Sequence, residues 1–260
     1  MSIAISIVVP VYNSEETLEL LCHRIETTFN RLLIKNYEII LIDDFSRDKS
    51  YKKMVNIFNT NPKVSSIIQL AKNFGQQNAI MCGLHYARGE LVATLDDDLQ
   101  HPPEELEKLI NKIHEGYDVV FGIPDKKMHP CYRNLGTKLI GFLFNRVCRK
   151  PQNVEVSSYR LIRKDIVKKI IKDKRSFVYL APIIFKITKH AAKVTVRHNH
   201  REYGQSNYSL SKLIGLLIKL IIYYTWDFQF ISSLNRPQYE IKDIRIKGEN
   251  ANETIDFGRQ

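Results

Sequence analysis

The feature that most limits what this chain can fold into is the rhythm of its first 122 residues, where short β-branched runs alternate with helical patterns and repeatedly stop at acids. Ile3 to Val9 is a run rich in β-branched residues, the pattern of a strand buried on both faces. Ser14 can cap a helix whose apolar positions, Leu18, Leu21, Cys22, Ile25, Phe29 and Leu32, recur every three or four residues. Glu38 to Ile42 reads as the next strand and ends in Asp43 and Asp44; a helix follows with Tyr51, Met54, Val55 and Phe58 on one face. Val64 to Leu70, Leu91 to Leu95 and Asp118 to Phe121 are further strands, with helices predicted over Gln76 to Ala87 and Glu104 to His114. Pro102 and Pro103 suit the entry to the second of these, because the nitrogen of the first helical residue has no intrahelical partner to lose.

Such alternation with short connections predicts an α/β fold, a mostly parallel central sheet with helices on both faces. Ligands of such sheets collect beyond the carboxyl ends of the strands. Tyr12 with Asn13, Asp43 with Asp44, and Asp96 with Asp97 and Asp98 all fall there, so three polar clusters are expected on one rim.

Three adjacent carboxylates repel one another unless cations or donors offset them, and a hard divalent ion on a diphosphate needs such oxygen ligands. Alternation along a strand sends Asp96 and Asp98 to one side and Asp97 to the other, so the outer two serve metal and nucleotide. Capping of the following turn is the structural alternative for these acids, as it is for Asp43 and Asp44. No GxGxxG or GxxxxGK run is present, which counts against a dinucleotide oxidoreductase and a phosphate-loop ATPase.

The remainder is less regular. Asn134 to Cys148 has a strongly apolar helical side; Ser157 to Ile162 and Val194 to His198 read as strands and Lys164 to Lys172 as a helix. Ser209 to Ile231 is the most apolar segment, but Lys219 and Asp227 interrupt it short of the ~20 apolar residues a spanning helix needs. An interfacial helix fits its aromatics, with a core or dimer helix as the alternative. Asn235 to Gln260 is a polar tail that either adds a short strand or stays mobile.

The formal charge of +11, from 39 Lys and Arg against 28 Asp and Glu, calls for an anionic partner. The excess is local: residues 126 to 175 hold fifteen Lys and Arg against Glu155, Asp165 and Asp173. A solvated basic face is the alternative to a face with a function. No recognisable reading module accompanies these basic residues, so nucleic acid is not the expected partner. Cys22, Cys82, Cys131 and Cys148 form no close CxxC pair and read as buried thiols. The N-terminal run lacks the basic start and long apolar stretch of a signal peptide, so a reducing cytoplasm is expected.

The linked stretches IVVPVYNSEETL (Ile7 to Leu18), ILIDDFSRDKS (Ile40 to Ser50), KNFGQQNAIMCGLHYARGELVATLDDDLQHPPEEL (Lys72 to Leu106), SSYRLIRK and REYGQSNYS resemble the inverting family 2 glycosyltransferases of GT-A fold. More narrowly they resemble the polyprenyl-phosphate branch, over residues 3 to 215. The resemblance implies a GT-A catalytic domain over 1–208, with a nucleotide-binding half to about residue 122 and an acceptor half from 123. It also implies transfer of a sugar from a nucleotide-diphospho-sugar to a polyprenyl phosphate, with Mg²⁺ or Mn²⁺ as cofactor. Residues 209–234 are then the interfacial helix, and the protein is peripheral to the inner face of the membrane, on its anionic surface, with a homo-oligomer allowed.

The resemblance assigns Pro10, Tyr12, Glu16, Asp44, Lys72, Asn73 and Gly75 to the nucleotide-sugar pocket. Asp96 touches the nucleotide, Asp98 ligates the metal, and Asp97 supports the turn and completes the nucleotide-sugar set. Arg201, Tyr203, Gly204 and Ser206 match a mobile loop that closes over the diphosphate, where Arg201 is a suitable clamp for the leaving group. Gln100 faces the sugar or acceptor, and Arg133, Lys138 and Arg160 are candidates for the acceptor phosphate. The sequence departs from the family at Asn207, where lysine is common, and before SSYRL, where an aspartate is usual. Glu155 is the sole acid within Lys150 to Arg163 and stands as base or acceptor-orienting group, in a catalytic set with Asp96 and Arg201. Transfer to a glycan or other hydroxyl is the rival reaction, and an inactive scaffold the rival from another class.

Overall fold

The computed structural model describes residues 3–125, 151, 153–199, 215, 218, 219, 223, 224 and 237–248. Eight strands form one sheet in the order β7-β5-β6-β4-β1-β2-β3-β8. In chain order these are β1 (Ile5–Val11), β2 (Tyr37–Asp43), β3 (Val64–Leu70), β4 (Leu91–Thr94), β5 (Val119–Pro124), β6 (Arg160–Arg163), β7 (Ala191–Val196) and β8 (Ile241–Ile246). Parallel pairing joins β1 to β2 and β4, β2 to β3, and β5 to β7, whereas β6 runs antiparallel between β4 and β5, and β8 antiparallel along β3.

Every residue of β1 and β2 is buried, the polar Ser6, Glu38 and Asp43 among the apolar ones. Their side chains divide between two cores. Ile7, Val9, Ile39 and Leu41 meet α1 (Leu18–Arg31), α2 (Ser50–Thr60) and α4 (Leu106–His114). Val8, Ile40 and Ile42 meet α3 (Gln76–Tyr86), α5 (Lys164–Ile170) and α6 (Leu180–Ile187). Helix α3 lies closest to the sheet at Gly83, where a Cβ would stand 2.4 Å from Val8 Cγ1 and 2.6 Å from Ile42 Cδ1.

Several expectations shift. β1 extends to Val11 because Pro10 and Val11 continue its pairing with Ile42 and Asp43. The helix expected from Glu104 begins as a 3₁₀ turn over Pro103–Glu105. β6 begins at Arg160 and β7 ends at Val196, each limited by the strand it pairs with. Helix α5 stops at Ile170, two residues short of the predicted end. Ser14 does not cap α1 through its side chain; its carbonyl accepts the N–H groups of Thr17 and Leu18. Helix α6 is not among the helices the sequence predicts, its LAPIIFKI run being too short and, Lys186 apart, too evenly apolar to show a period. Residue 122 lies inside β5.

Within the polar tail, Ile241–Ile246 is a strand, docked by Tyr239 (5% exposed) and by Ala71 N–H donating to the Glu240 carbonyl. Cys22 and Cys82 are buried free thiols, and burial pushes Cys22 up to about 12. Cys131, Cys148, the helix predicted over Asn134 to Cys148 and most of Ser209 to Ile231 lie outside the described residues. No described helix is long and apolar enough to cross a membrane.

Candidate active site

The three polar clusters meet at the carboxyl ends of β1, β2 and β4. Three of the four described non-glycine residues with positive φ sit there: Asn13 (54°), Phe45 (63°) and Leu99 (60°). A left-handed backbone at bulky residues persists only where surrounding bonds over-determine it, and it concentrates at functional sites. Here the bonds are visible. Asn13 N–H donates to Ser46 Oγ at 3.0 Å, and Arg47 N–H donates to Asn13 Oδ1 at 2.8 Å, locking the first two loops together.

Asp44 is 3% exposed, and its two oxygens accept Phe74 N–H at 2.7 Å and Gly75 N–H at 2.9 Å. It therefore shapes the loop into α3, where Gly75 holds φ of 90°. Burial raises the Asp44 carboxyl to about 6, with Asp43 adding to the rise and the two N–H groups opposing it. Asn73 donates to the Asp44 carbonyl at 3.3 Å, and Lys72 Nζ lies 5.0 Å from the Phe74 ring centre. Pro10 is buried, whereas Tyr12, Glu16, Lys72 and Asn73 are exposed around the same rim.

The acidic triplet divides its contacts. Asp97 Oδ2 accepts Tyr12 N–H at 2.9 Å and the Ser14 hydroxyl, and the Asp97 carbonyl accepts Thr17 Oγ1–H at 2.6 Å. Asp97 thus ties the first loop down. Burial raises its carboxyl to about 7, the charges of Asp96 and Asp98 adding to the rise against the two donors. Asp98 Oδ1 accepts Gln100 N–H at 3.1 Å, and the Gln100 carbonyl accepts Asn199 N–H at 2.9 Å.

Asp96 accepts Gln76 Nε2–H on one oxygen and Ser158 Oγ–H at 2.6 Å on the other. Burial pushes this carboxyl up, but His101 and Ser158, with the charge of Arg160, outweigh it and hold Asp96 below the ordinary aspartate value. His101 Nδ1 stands 3.6 Å from Asp96 Oδ2, within ion-pair range but beyond hydrogen-bond reach, and neither buried ring nitrogen has a hydrogen-bond partner among the described residues. The His101 ring stacks on Tyr159 at 5.2 Å and meets His198 edge-on at 5.0 Å. Burial and His101 hold His198 below its ordinary value against the pull of Asp98, Asp125 and Asp96.

Beside Asp96 opens a cavity of about 430 Å³. The first turn of α3 forms one wall, Ser157 and Ser158 another, and Phe177, Tyr179 and Lys219 the outer side. Arg160 lines it although only 3% exposed. Its Nε is held by Thr94 Oγ1 at 3.2 Å and the Ser158 carbonyl at 3.3 Å; burial lowers the guanidinium to about 10, so it stays charged at neutral pH. A helix N-terminus, a fixed guanidinium and a lysine around one space make an anion site.

Glu155 stands elsewhere: it is half-exposed, pairs with Lys193 Nζ at 2.8 Å and does not line the cavity. Arg133, Lys138, Arg201 and Ser206, with Tyr203 and Gly204, lie outside the described residues. Sequence reasoning missed Gln76, Ser158, His101 and His198. The first three lie inside the quoted motifs, so position was available to find them, but their contacts with Asp96 were not.

Among the described residues no group of three or more His, Cys, Asp or Glu side chains can hold a metal. Magnesium is commonly held by one or two carboxylates with substrate phosphates and water, so Asp98 and Asp96 fit such an ion once a diphosphate is present.

A family model, Glycosyl transferase family 2, matches residues 6–171. The undecaprenyl-phosphate 4-deoxy-4-formamido-L-arabinose transferases of Yersinia enterocolitica and Yersinia pseudotuberculosis are each 35% identical over 217 residues. The match covers 84% of this chain and 66% of the relative, so the chain spans just under two thirds of those proteins. Among solved structures, a glucosyl-3-phosphoglycerate synthase from Mycobacterium tuberculosis, in complex with Mn²⁺, UDP and glucosyl-3-phosphoglycerate, superposes with a TM-score of 0.55 at 17% identity, over 84% of this chain and 77% of that one. A mannosyltransferase from Pyrobaculum calidifontis in complex with GDP-Man and Mn²⁺ gives 0.56 at 13% identity, over 78% and 59%. The fold is therefore GT-A, and the chain belongs to glycosyl transferase family 2.

Proposed function

We propose that this protein transfers a sugar, with inversion, from a nucleotide-diphospho-sugar to a polyprenyl phosphate at a membrane surface. The observation that carries the reading is the anion cavity beside Asp96, with buried Arg160 at its base and Phe177 and Tyr179 on its outer side. A lipid phosphate offers a charge for Arg160, Lys219 and the α3 N-terminus, and apolar carbon for the aromatic rings. The names of the Yersinia relatives support the same acceptor.

In this reading the rim formed by Tyr12, Glu16, Asp44, Lys72, Asn73 and Gly75 receives the nucleotide, while Asp97 keeps the first loop in place. Asp98 would hold Mg²⁺ or Mn²⁺ with Asp96 beside it at the nucleotide, and the ion would offset charge on the diphosphate. Asp96, fixed by Gln76 and Ser158, lies between the donor rim and the acceptor cavity. An acceptor phosphate oxygen forms the new bond to the anomeric carbon as the bond to the diphosphate breaks, and the nucleoside diphosphate leaves with the electron pair. Arg201 and Ser206 are assigned to that departing group, Arg133 and Lys138 to the acceptor, and Gln100 to the sugar.

The phosphate nucleophile is already an anion at neutral pH, so no base has to take a proton from it. The Glu155–Lys193 pair at the surface accords with this and gives no support to Glu155 as the base that a hydroxyl acceptor would need.

Incubation with a panel of labelled nucleotide-sugars and undecaprenyl phosphate, with and without EDTA, tests the reading. EDTA-sensitive label in the organic phase is the expected result. Label found only on hydroxyl acceptors, or on none, would reject it.

A further inference from the structure

The basic residues of the described part of the sequence middle, 153–175, separate into two populations in the fold. Arg163 donates to the carbonyls of Tyr117 and Ile113, Lys164 pairs with Glu90 at 2.8 Å, and Arg175 pairs with Asp173 while stacking on Tyr224 at 4.2 Å. Lys168, Lys169, Lys172 and Lys174 are exposed, and among the described residues none of them has an ion-pair partner. The acids nearby are Glu90 and Asp173, already taken by Lys164 and Arg175, and Asp165 on the exposed first turn of α5.

Lys168, Lys172 and Lys174 surround an open hollow of about 570 Å³ between α3 and α5, with His85 on its far side and Ile171 in its lining. Burial, together with the charge of Lys174, holds His85 below its ordinary value, so the imidazole is the neutral side of a positive rim. Cationic rim and apolar lining are the two properties a phospholipid headgroup region presents in reverse: anionic phosphates above the first methylene groups.

The position of this hollow bears on the reaction. Phe177 and Tyr179, on the outer side of the acceptor cavity, follow Lys174 by three and five residues. Lys219 stands over the Phe177 ring at 5.6 Å, and its neighbour Ile218 is 51% exposed. The segment from Lys172 to Tyr179 therefore borders both openings.

We infer that the hollow formed by Lys168, Lys172 and Lys174 docks anionic phospholipid headgroups, and that this contact turns the acceptor cavity toward the bilayer. The orientation half of the inference rests on the lipid-phosphate reading above; the docking half does not.

Vesicle co-sedimentation tests it with the whole protein, on phosphatidylcholine alone and on phosphatidylcholine mixed with phosphatidylglycerol, both free of polyprenyl phosphate. Each lysine near an anionic surface contributes about fivefold in partitioning, so the Lys168→Gln/Lys172→Gln/Lys174→Gln variant is expected to lose on the order of 100-fold on the mixed vesicles. Lys35→Gln/Lys52→Gln, a change of exposed lysines on another part of the surface, is expected to bind as the parent does. Retention of parental binding by the triple variant would place the membrane contact elsewhere and overturn the inference, as would binding without preference for phosphatidylglycerol. Should the triple variant melt early, Lys172→Gln/Lys174→Gln carries the same test with a loss of about 25-fold. Transfer to a water-soluble short-chain polyprenyl phosphate is expected to be unchanged in these variants; its loss in a folded variant would put the lysines in the active site and overturn the docking role. If the parent transfers to no lipid phosphate yet binds the anionic vesicles through these lysines, the acceptor reading fails and the docking stands.

Discussion

Ser158 Oγ lies 2.6 Å from Asp96 Oδ2, so the first acid of the triplet is held by a residue 62 positions further along the chain. Ser158 precedes β6, the antiparallel strand inserted beside β4. Removing this donor leaves the carboxylate less firmly oriented, and outer-shell partners of this kind are worth about 10- to 100-fold in activity. Ser158→Ala is expected to lower kcat by that amount while changing the melting temperature little, as read from steady-state rates and thermal denaturation.

The acids differ in what they touch, and their variants should differ accordingly. Asp98→Asn is expected to raise the Mg²⁺ or Mn²⁺ concentration needed for half-maximal rate, whereas Asp97→Asn, which disturbs the bonds to Tyr12 and Ser14, should mainly lower thermal stability. Metal titration of activity beside melting curves separates the two. Equal metal dependence in both variants would contradict the division.

A general base contributes about 10²- to 10⁴-fold, and Glu155 is not expected to show an effect of that size. Its pairing with Lys193 outside the cavity predicts less than about tenfold loss for Glu155→Gln, against more than about 100-fold for Asp96→Asn. Parallel rate measurements on undecaprenyl phosphate decide the point.

Asp44 carries a pH signature. Its folded pKa of about 6 lies above the ordinary aspartate value, so the folded state holds a proton that the unfolded chain has released. The proton-linked contribution is full below the unfolded pKa and is lost as pH rises through the folded pKa, a window from about pH 4 to 6. Asp44→Asn cannot titrate. The stability difference, variant minus parent, should move in the variant's favour across that window in chemical denaturation.

Glu38 offers the opposite case, remote from the rim. It is 2% exposed and accepts Ser6 Oγ–H at 2.6 Å, Arg88 N–H at 2.9 Å and the Arg88 guanidinium at 2.6 and 3.0 Å. Burial pushes its carboxyl up, but the Arg88 and Ser6 bonds prevail and lower it. Its stabilisation is present above the unfolded pKa and fades as pH falls through the folded one. Glu38→Ala, which removes the acceptor of Ser6 and Arg88 but leaves the half-exposed Arg88 hydrated, is expected to destabilise by about 2 kcal/mol at neutral pH with kcat nearly unchanged.

What the sequence determined by itself is the local part of this protein. β1, β2 and β3 and the helices packed on them were legible because strand and helix write different periods into neighbouring residues, and the acids at Asp43, Asp44 and Asp96 to Asp98 follow the runs they terminate. The α/β class followed from the same alternation, and the resemblance carried by the linked motifs implied the GT-A fold. Tertiary structure decided which strands became neighbours. Nothing periodic in Ser157 to Arg163 says that β6 enters antiparallel between β4 and β5, yet that insertion brings Ser158 to Asp96 and seals Arg160 beneath the cavity. Likewise β8 reaches β3 from 170 or more residues away, and His101 meets His198 across 97 positions. The physical reason is that a hydrophobic pattern records how much of a segment is buried and on which face, whereas sheet order depends on packing between distant segments.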